Sequence, residues 1–220
     1  YSGEDIEDRV KKWKPDTPII RVTENRPVTY LRNITDDSLT TDKVGIDIVF
    51  AFKEAVLDGD QSDYMISYAN SIKTYVGGTH NDGLKLGIQK YFKDVAMPKL
   101  KGKDKDLQIM PSDMVAGMCA FVTVKVKNPV YQGQEKNQLS NQEVKFAVRD
   151  AVYEALCKAK PSDVNPMVDF AKRVTRGRMA SKKTRKKDVS NAFSKDRLDK
   201  FKDFISNLKT EDPELILVEG

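Results

Sequence analysis

Two stretches of this chain alternate between apolar and other residues with a period of two, and they restrict its fold more than any other feature. Each places five side chains on one face. The first set is Val44, Ile46, Ile48, Phe50 and Phe52, and the second is Met118, Ala120, Val122, Val124 and Val126. Alternation of this kind is typical of strands that bury one face against a core. The sequence therefore predicts a β-sheet that is covered by other elements.

The covering elements are predicted by apolar residues spaced three and four apart, which is the helical pattern. Such stripes occur at 6–13, where Pro15 ends the helix, and at 84–95, 144–156 and 198–208. A further helix begins after Pro161 and carries many basic residues. Thr79 and Asp82 have the spacing of a capping box at the start of the second helix. The chain is thus expected to have an α/β (α+β) fold.

The strand order is predicted from turns. Residues 19–22 and 28–34 are expected to form two short strands. The turn residues Asp58, Gly59 and Asp60 suggest that the strand at 44–52 returns as a strand at 64–72, which makes a hairpin. The sheet is therefore predicted to be mostly antiparallel, with helices on one face.

Several functional classes are excluded or disfavoured by composition. The 220 residues contain no apolar run long enough to cross a bilayer and do not begin with a secretory signal, so no membrane partner is expected. His80 is the only histidine, and Cys119 and Cys157 are far apart, which excludes a His/Cys zinc site. Without a GxSxG motif, a serine hydrolase is disfavoured.

A basic segment is the strongest sign of a partner. Residues 172–187 carry nine positive charges and no acid, whereas the whole chain has a net charge of only +5. A concentrated cationic segment favours a polyanion, and nucleic acid phosphates fit best. A solvated helix face is the alternative. The candidate contacts are Lys172, Arg173, Arg176 and Arg178.

Two internal segments resemble a known family. Strand residues 68–74, followed by Gly77, Gly78, Thr79 and His80, resemble a segment of the ATPase subunit of type IIA DNA topoisomerases. Apart from the resemblance, these last four residues would be a structural turn and the start of a helix. Residues 112–141 are similar to the strand and loop that follow it there. In the gyrase and topoisomerase IV B subunits, a Gln-Thr-Lys loop brings its lysine to the γ-phosphate of ATP.

The resemblance assigns nucleotide-binding roles to Gln134 and Lys136, which match the outer positions of that loop. Glu135 stands where the family has threonine, so Lys136 is the firmer of the two assignments. A lysine is a long, flexible point charge that can reach a phosphate across a domain boundary. Apart from the resemblance, Lys136 would be read as one more solvated lysine.

The third similar segment, residues 212–220, resembles the first strand of the TOPRIM domain of these enzymes. The family uses a glutamate matching Glu219 with Mg²⁺ during DNA cleavage, but its acidic partners are not in this sequence. We therefore expect Glu219 to be catalytic and metal-binding only in a longer parent, of which this chain is expected to be a part.

The resemblance implies a transducer domain with a ribosomal-protein-S5 domain 2-like fold and a long basic C-terminal helix. The expected layout is a transducer core at 1–160, a basic helix and linker at 161–211, and the start of TOPRIM at 212–220. The implied function is to couple ATP binding and hydrolysis to DNA duplex passage, with ATP and Mg²⁺ used by the full-length parent and neither held tightly by this chain alone.

The implied partners are double-stranded DNA, the ATP-binding domain of the same subunit, a second copy in a homodimer, and the DNA-cleaving A-type subunit. A cytoplasmic, nucleoid-associated location follows. Two alternatives remain. One is a stand-alone S5-like nucleic-acid-binding module without ATP coupling. The other is the mismatch-repair relative, which has no TOPRIM domain and so does not account for residues 212–220.

Overall fold

The computed structural model describes residues 5–33, 36–53 and 65–192. The helices of this part are α1 (Ile6–Lys12), α2 (Thr79–Tyr91), α3 (Pro111–Val115), α4 (Gln142–Lys158) and α5 (Pro161–Ala192). The strands are β1 (Ile20–Asn33), β2 (Asp36–Phe52), β3 (Met65–Ala69), β4 (Ile72–Lys73), β5 (Gly77–Gly78), β6 (Met118–Lys125), β7 (Tyr131–Gln132) and β8 (Gln138–Leu139). The predicted mixed fold is confirmed.

The chain divides into two units, residues 1–177 and 178–220. The first contains all of these strands and the helices up to the middle of α5, and the last turns of α5 belong to the second. The helix predicted at 198–208, the strand predicted within 212–220 and the turn at 58–60 lie outside the described residues. Within the described ranges, no helix combines the length and apolar character that a membrane crossing requires.

The larger sheet has the order β1-β2-β6-β3-β4. Its β1/β2, β2/β6 and β3/β4 pairs are antiparallel, whereas β3 runs parallel to β6. The mostly antiparallel sheet is therefore confirmed. The hairpin predicted at 44–72 is wrong, because β6 lies between β2 and β3. Turn residues at 58–60 give no information about β6, which comes much later in the sequence but lies between the two strands.

β1 is one long strand rather than the two short ones that were predicted. It pairs with β2 from Ile20 to Asn33, with Pro27 opposite Lys43. Proline cannot donate a ladder hydrogen bond and is therefore found mainly in edge strands. Because β1 is at the edge and has β2 as its single neighbour, the strand continues through the proline.

Most of the core lies on one face of the sheet. The alternating side chains of β2 and β6, including Ile48, Phe50 and Val122, are fully buried there against α2, α4 and the first part of α5. The opposite face is not bare, because α1 packs its Val10 against Val49 and Phe121. The prediction of helices on one face only is therefore wrong. Alternate residues of β2 are apolar on both faces, and this second stripe requires a cover.

α2 and α4 approach each other closely through two glycines of α2. A β-carbon on Gly83 would lie 2.6 Å from the carbonyl oxygen of Lys145, and one on Gly87 would lie 2.7 Å from that of Arg149. Real side chains do not tolerate such distances. The two helices therefore contact through their backbones, which leaves little room for relative movement.

The capping box predicted at the start of α2 is not formed. Gly78 holds the N-cap position, the helix has no side-chain cap, and the hydroxyl of Thr79 is buried without a partner among the described residues. Thr79 is the first residue of the helix instead. The residue pattern located the helix start to within one residue, but it placed the cap at Thr79, one position too late.

Candidate functional site

A small three-stranded sheet joins the two internal segments that carry the resemblance. β8 pairs antiparallel with β7, and in parallel with β5, which is Gly77 and Gly78. A β-carbon on Gly78 would lie 2.3 Å from the carbonyl oxygen of Leu139, and its φ of 135° is one that L-residues rarely adopt. Only glycine fits here. The structure thus brings together Gly77–Gly78 and the β7–β8 hairpin.

The tip of this hairpin presents Gln134 and Lys136 outward. Both are exposed, and Lys136 takes the left-handed backbone conformation with φ of 55°. The amide nitrogen of Asn137 donates a 2.6 Å hydrogen bond to the carboxylate of Glu135. The side chain of Glu135 therefore has a partner within the tip of the hairpin. Among the described residues, no carboxylate pairs with the ammonium group of Lys136. The lysine is available to an anion outside this unit.

His80 lies beneath the small sheet in a polar network. Its Nε2 is 3.1 Å from the hydroxyl of Thr74, which is 2.7 Å from that of Ser67. Asn81 donates to the same Ser67 hydroxyl at 3.1 Å. Burial lowers the pKa of His80 from 6.5 to about 4, so the ring is neutral at physiological pH. An enclosed, neutral imidazole holds the strand ends against α2, which suits the structural role that was expected.

The two feet of the hairpin meet at Asn141. Its side-chain oxygen accepts a 2.7 Å hydrogen bond from the backbone N–H of Val130, and its amide nitrogen donates to the carbonyl of Asn128 at 3.1 Å and to Glu143 at 2.7 Å. The N–H of Ser140 also donates to the carbonyl of Val130. The hairpin is therefore fixed to the start of α4. The sequence pattern did not single out Asn141.

The basic residues of α5 are not all free to meet a partner. Lys172 forms ion pairs with Asp104 at 3.4 Å and Asp169 at 2.9 Å, and Arg176 also contacts Asp104. Hydrogen bonds from Arg176, and next from Lys172, hold the pKa of Asp104 below its usual value, so this carboxylate is ionised at neutral pH. Arg173 is exposed, with its guanidinium 5.0 Å from the ring centre of Phe170.

Asp104 also brings a second basic element to α5. It belongs to the loop that carries Lys101, Lys103 and Lys105, and all three lysines are exposed. No pattern in the sequence connects this loop with the helix, because contact between residues 104 and 176 has no local signal. The structure joins them into one cationic surface. Arg178 lies in the second unit, and Glu219 lies outside the described residues.

No metal site is formed by the described residues, since nowhere in them do three His, Cys, Asp or Glu side chains cluster in a way that could hold an ion. Glu219, the predicted ligand, is not among them. The hairpin carries an exposed cation and an exposed amide, which fit a phosphate brought by another domain. They do not form an enclosed nucleotide pocket.

A family model for DNA gyrase B matches residues 6–187, which is most of the chain. The chain belongs to the DNA gyrase B family. It is 31% identical over 199 residues to the chloroplastic/mitochondrial DNA gyrase B protein of Oryza sativa, with 83% of this chain and 27% of the relative covered. It is also 31% identical to the DNA gyrase B protein of Mycobacterium leprae, with 74% of this chain and 25% of that one covered.

The chain thus spans about a quarter of the length of these relatives. In three dimensions it is similar to the 43K ATPase domain of Thermus thermophilus gyrase B, solved in complex with an aminocoumarin. The TM-score is 0.55 and the identity 24%, over 82% of this chain and 45% of that one. This likeness supports the mixed α/β fold. The family membership confirms the resemblance to type IIA topoisomerase B subunits.

Proposed function

We propose that this chain is the transducer part of an ATP-dependent type IIA topoisomerase, which couples ATP binding and hydrolysis to the passage of a DNA duplex. The observation that carries the proposal is the exposed Lys136 at the tip of a hairpin that is fixed at its base to α2 and α4. A charge that reaches outward from a rigid base is suited to report the presence of a phosphate to the rest of the domain.

In the intact parent, Lys136 pairs with the γ-phosphate of ATP that is held by the ATP-binding domain of the same subunit, and Gln134 donates a further hydrogen bond. The attraction between ammonium and phosphate is lost when the phosphate leaves. The hairpin would then be released from the ATP-binding domain. Because the hairpin is joined to both helices, its release moves the domain as a body rather than the loop alone.

The movement acts on DNA through the cationic surface formed by α5 and the loop at 101–105. Lys172, Arg173 and Arg176, with Arg178 further along the helix, contact the phosphates of a captured duplex without reading its sequence. Three positive charges on the part of α5 that belongs to the first unit, together with three exposed lysines of the loop, match the phosphate backbone of DNA rather than base edges.

The layout of a transducer core at 1–160, a basic helix and linker at 161–211 and the start of TOPRIM at 212–220 remains part of this proposal. Within it, Glu219 becomes catalytic with Mg²⁺ only when the rest of TOPRIM follows. The working enzyme is a homodimer that acts with a DNA-cleaving A-type subunit on double-stranded DNA in the cytoplasm. Membership of the gyrase B family supports the class of enzyme to which these proposals belong.

The test is Lys136→Ala in the intact protein that contains this sequence. Loss of a charge aimed at a transferred phosphate is expected to lower ATP turnover about 100-fold or more. Affinity for duplex DNA should stay nearly unchanged, because the candidate DNA contacts lie on α5 and on the loop at 101–105, whereas Lys136 lies on the hairpin. Lys93→Ala is the matched control, since Lys93 is an exposed lysine just after the end of α2.

Equal ATP turnover for Lys136→Ala, Lys93→Ala and the unaltered protein would contradict the coupling role. Together with intact DNA binding, that result would favour the alternative of a stand-alone nucleic-acid-binding module. The alternative accounts for the cationic surface but gives no reason for an outward lysine on a braced hairpin.

A further inference from the structure

Asn141 occupies the N-cap position of α4 but does not cap the helix. Asparagine is among the best capping residues, because its side-chain oxygen can accept from the backbone N–H groups of the first turn. In this structure α4 has no side-chain cap bond. The oxygen of Asn141 instead accepts from Val130, outside the helix. The side chain of Asn141 is therefore not used to cap α4, which indicates that it has another task.

That task can be read from the partners of Asn141. The backbone N–H of Val130 requires an acceptor and the carbonyl of Asn128 requires a donor, and a carboxamide supplies both at once. Asn141 is 6% exposed, so these bonds are largely shielded from water and have no ready replacement. Val130 and Asn128 lie in the segment that leads into β7. Asn141 therefore joins the entry of the hairpin to its exit.

We propose that Asn141 is a positioning residue for Lys136, which keeps the hairpin at the angle at which its lysine reaches the phosphate. This inference rests on the proposed function of Lys136. The other anchors hold different points: β5 holds β8, and the hydroxyl of Tyr131 donates to the carbonyl of Ala69 at 3.0 Å. Asn141 alone of these three ties the hairpin to α4, so it links the position of Lys136 to the paired helices α4 and α2.

The informative variant is Asn141→Asp. It keeps the oxygen that accepts from Val130 and is itself a good helix cap, so the fold and α4 are preserved. It replaces the donor amide by a second oxygen, which faces the carbonyl of Asn128 and the carboxylate of Glu143. The clamp is thus broken by repulsion. Gln142→Glu is the matched control, because it makes the same amide-to-carboxylate change at an exposed residue one position later.

The experiment is a double-mutant cycle in the intact protein at pH 8, with ATP turnover as the readout. Asn141→Asp is expected to lower turnover about tenfold when Lys136 is present and by less than about twofold in the Lys136→Ala background. Gln142→Glu should change neither. A residue with a merely structural role would lower turnover by the same factor in both backgrounds, and that result overturns the proposal.

Amide hydrogen exchange supplies a second readout that does not depend on activity. Asn141→Asp should raise the exchange rate of residues 130–139 while leaving α4 unchanged, and an unaltered hairpin would also overturn the proposal. If Lys136→Ala alone leaves turnover unchanged, the proposed function fails before the cycle is closed. The two failures are therefore distinguishable, since one appears in the single Lys136 variant and the other only in the comparison of backgrounds.

Discussion

Asp104 should restrain DNA binding at the cationic surface, because its carboxylate already forms ion pairs with two of the basic side chains. Its carboxylate pairs with Lys172 and Arg176, and Lys172 is 18% exposed. A DNA phosphate must compete with this internal carboxylate. Asp104→Asn leaves Arg176 without this carboxylate partner, whereas Lys172 keeps its ion pair with Asp169. We therefore expect the variant to bind duplex DNA more tightly and with a steeper dependence on salt.

The magnitude follows from the number of cations released. Each phosphate contact on duplex DNA adds about 0.9 to the slope of log K against log salt concentration, so one further contact from Arg176 makes the slope steeper by about 0.9. At 0.1 M salt the same relation sets an upper limit of about eightfold on the gain in affinity. The measurement is fluorescence anisotropy of a labelled duplex with the intact protein, repeated from 0.05 to about 0.3 M salt.

Asp106→Asn separates pairing from simple charge. Asp106 is exposed in the same loop and loses the same charge, but no described cation pairs with it, so the slope should stay at the value of the unaltered protein. Equal slopes for the two variants would refute the competition argument. Weaker binding by Asp104→Asn would show instead that the carboxylate is needed to hold the loop lysines beside α5.

Two further predictions concern the folded state. Since the pKa of the buried His80 is lowered to about 4, the unfolded chain takes up a proton below pH 6.5 that the folded chain refuses, so the free energy of unfolding should fall by about 3 kcal/mol from pH 6.5 to 4. Urea titrations of His80→Gln should lack this slope, and a slope that persists would exclude His80 as its cause. Gly87→Ala should destabilise by about 1–3 kcal/mol by forcing α2 from α4, whereas Gly177→Ala, with nothing within 4 Å of the added carbon, should be neutral or stabilising in thermal unfolding. Equal melting temperatures would contradict the close helix contact.

The elements of this fold could be predicted from sequence wherever one periodicity dominates. The alternation in β2 and β6 and the stripes of α1 and α4 are local, and their bounds were found nearly correctly except for the start of β2, which lies at Asp36 rather than Val44. The order of the strands could not be predicted, because the placing of β3 beside β6 depends on a partner that lies far along the chain. The continuity of β1 through Pro27 could not be predicted either, because the edge position that permits it is a property of the whole sheet.

The candidate site divides in the same way. Lys136 and Gln134 could be named from a motif, and the basic residues of α5 from charge alone. Their surroundings could not, because the contact of Arg176 with Asp104 spans 72 residues and the pairing of β5 with β8 spans a similar distance. Asn141 was missed because an asparagine before a helix has an adequate local explanation as a cap. The structure shows that this explanation does not apply.

The position of β6 between β2 and β3 also determines how this chain must assemble while it is being synthesised. Ala51 and Cys119, which face each other across the β2/β6 pair, are 68 residues apart. β2 can pair with β1 as soon as both have emerged from the ribosome, but its other edge stays open until β6 arrives. An open edge that carries Val49, Phe50 and Ala51 invites pairing with another nascent chain. The strand that completes the sheet is thus also the one that ends its exposure to aggregation.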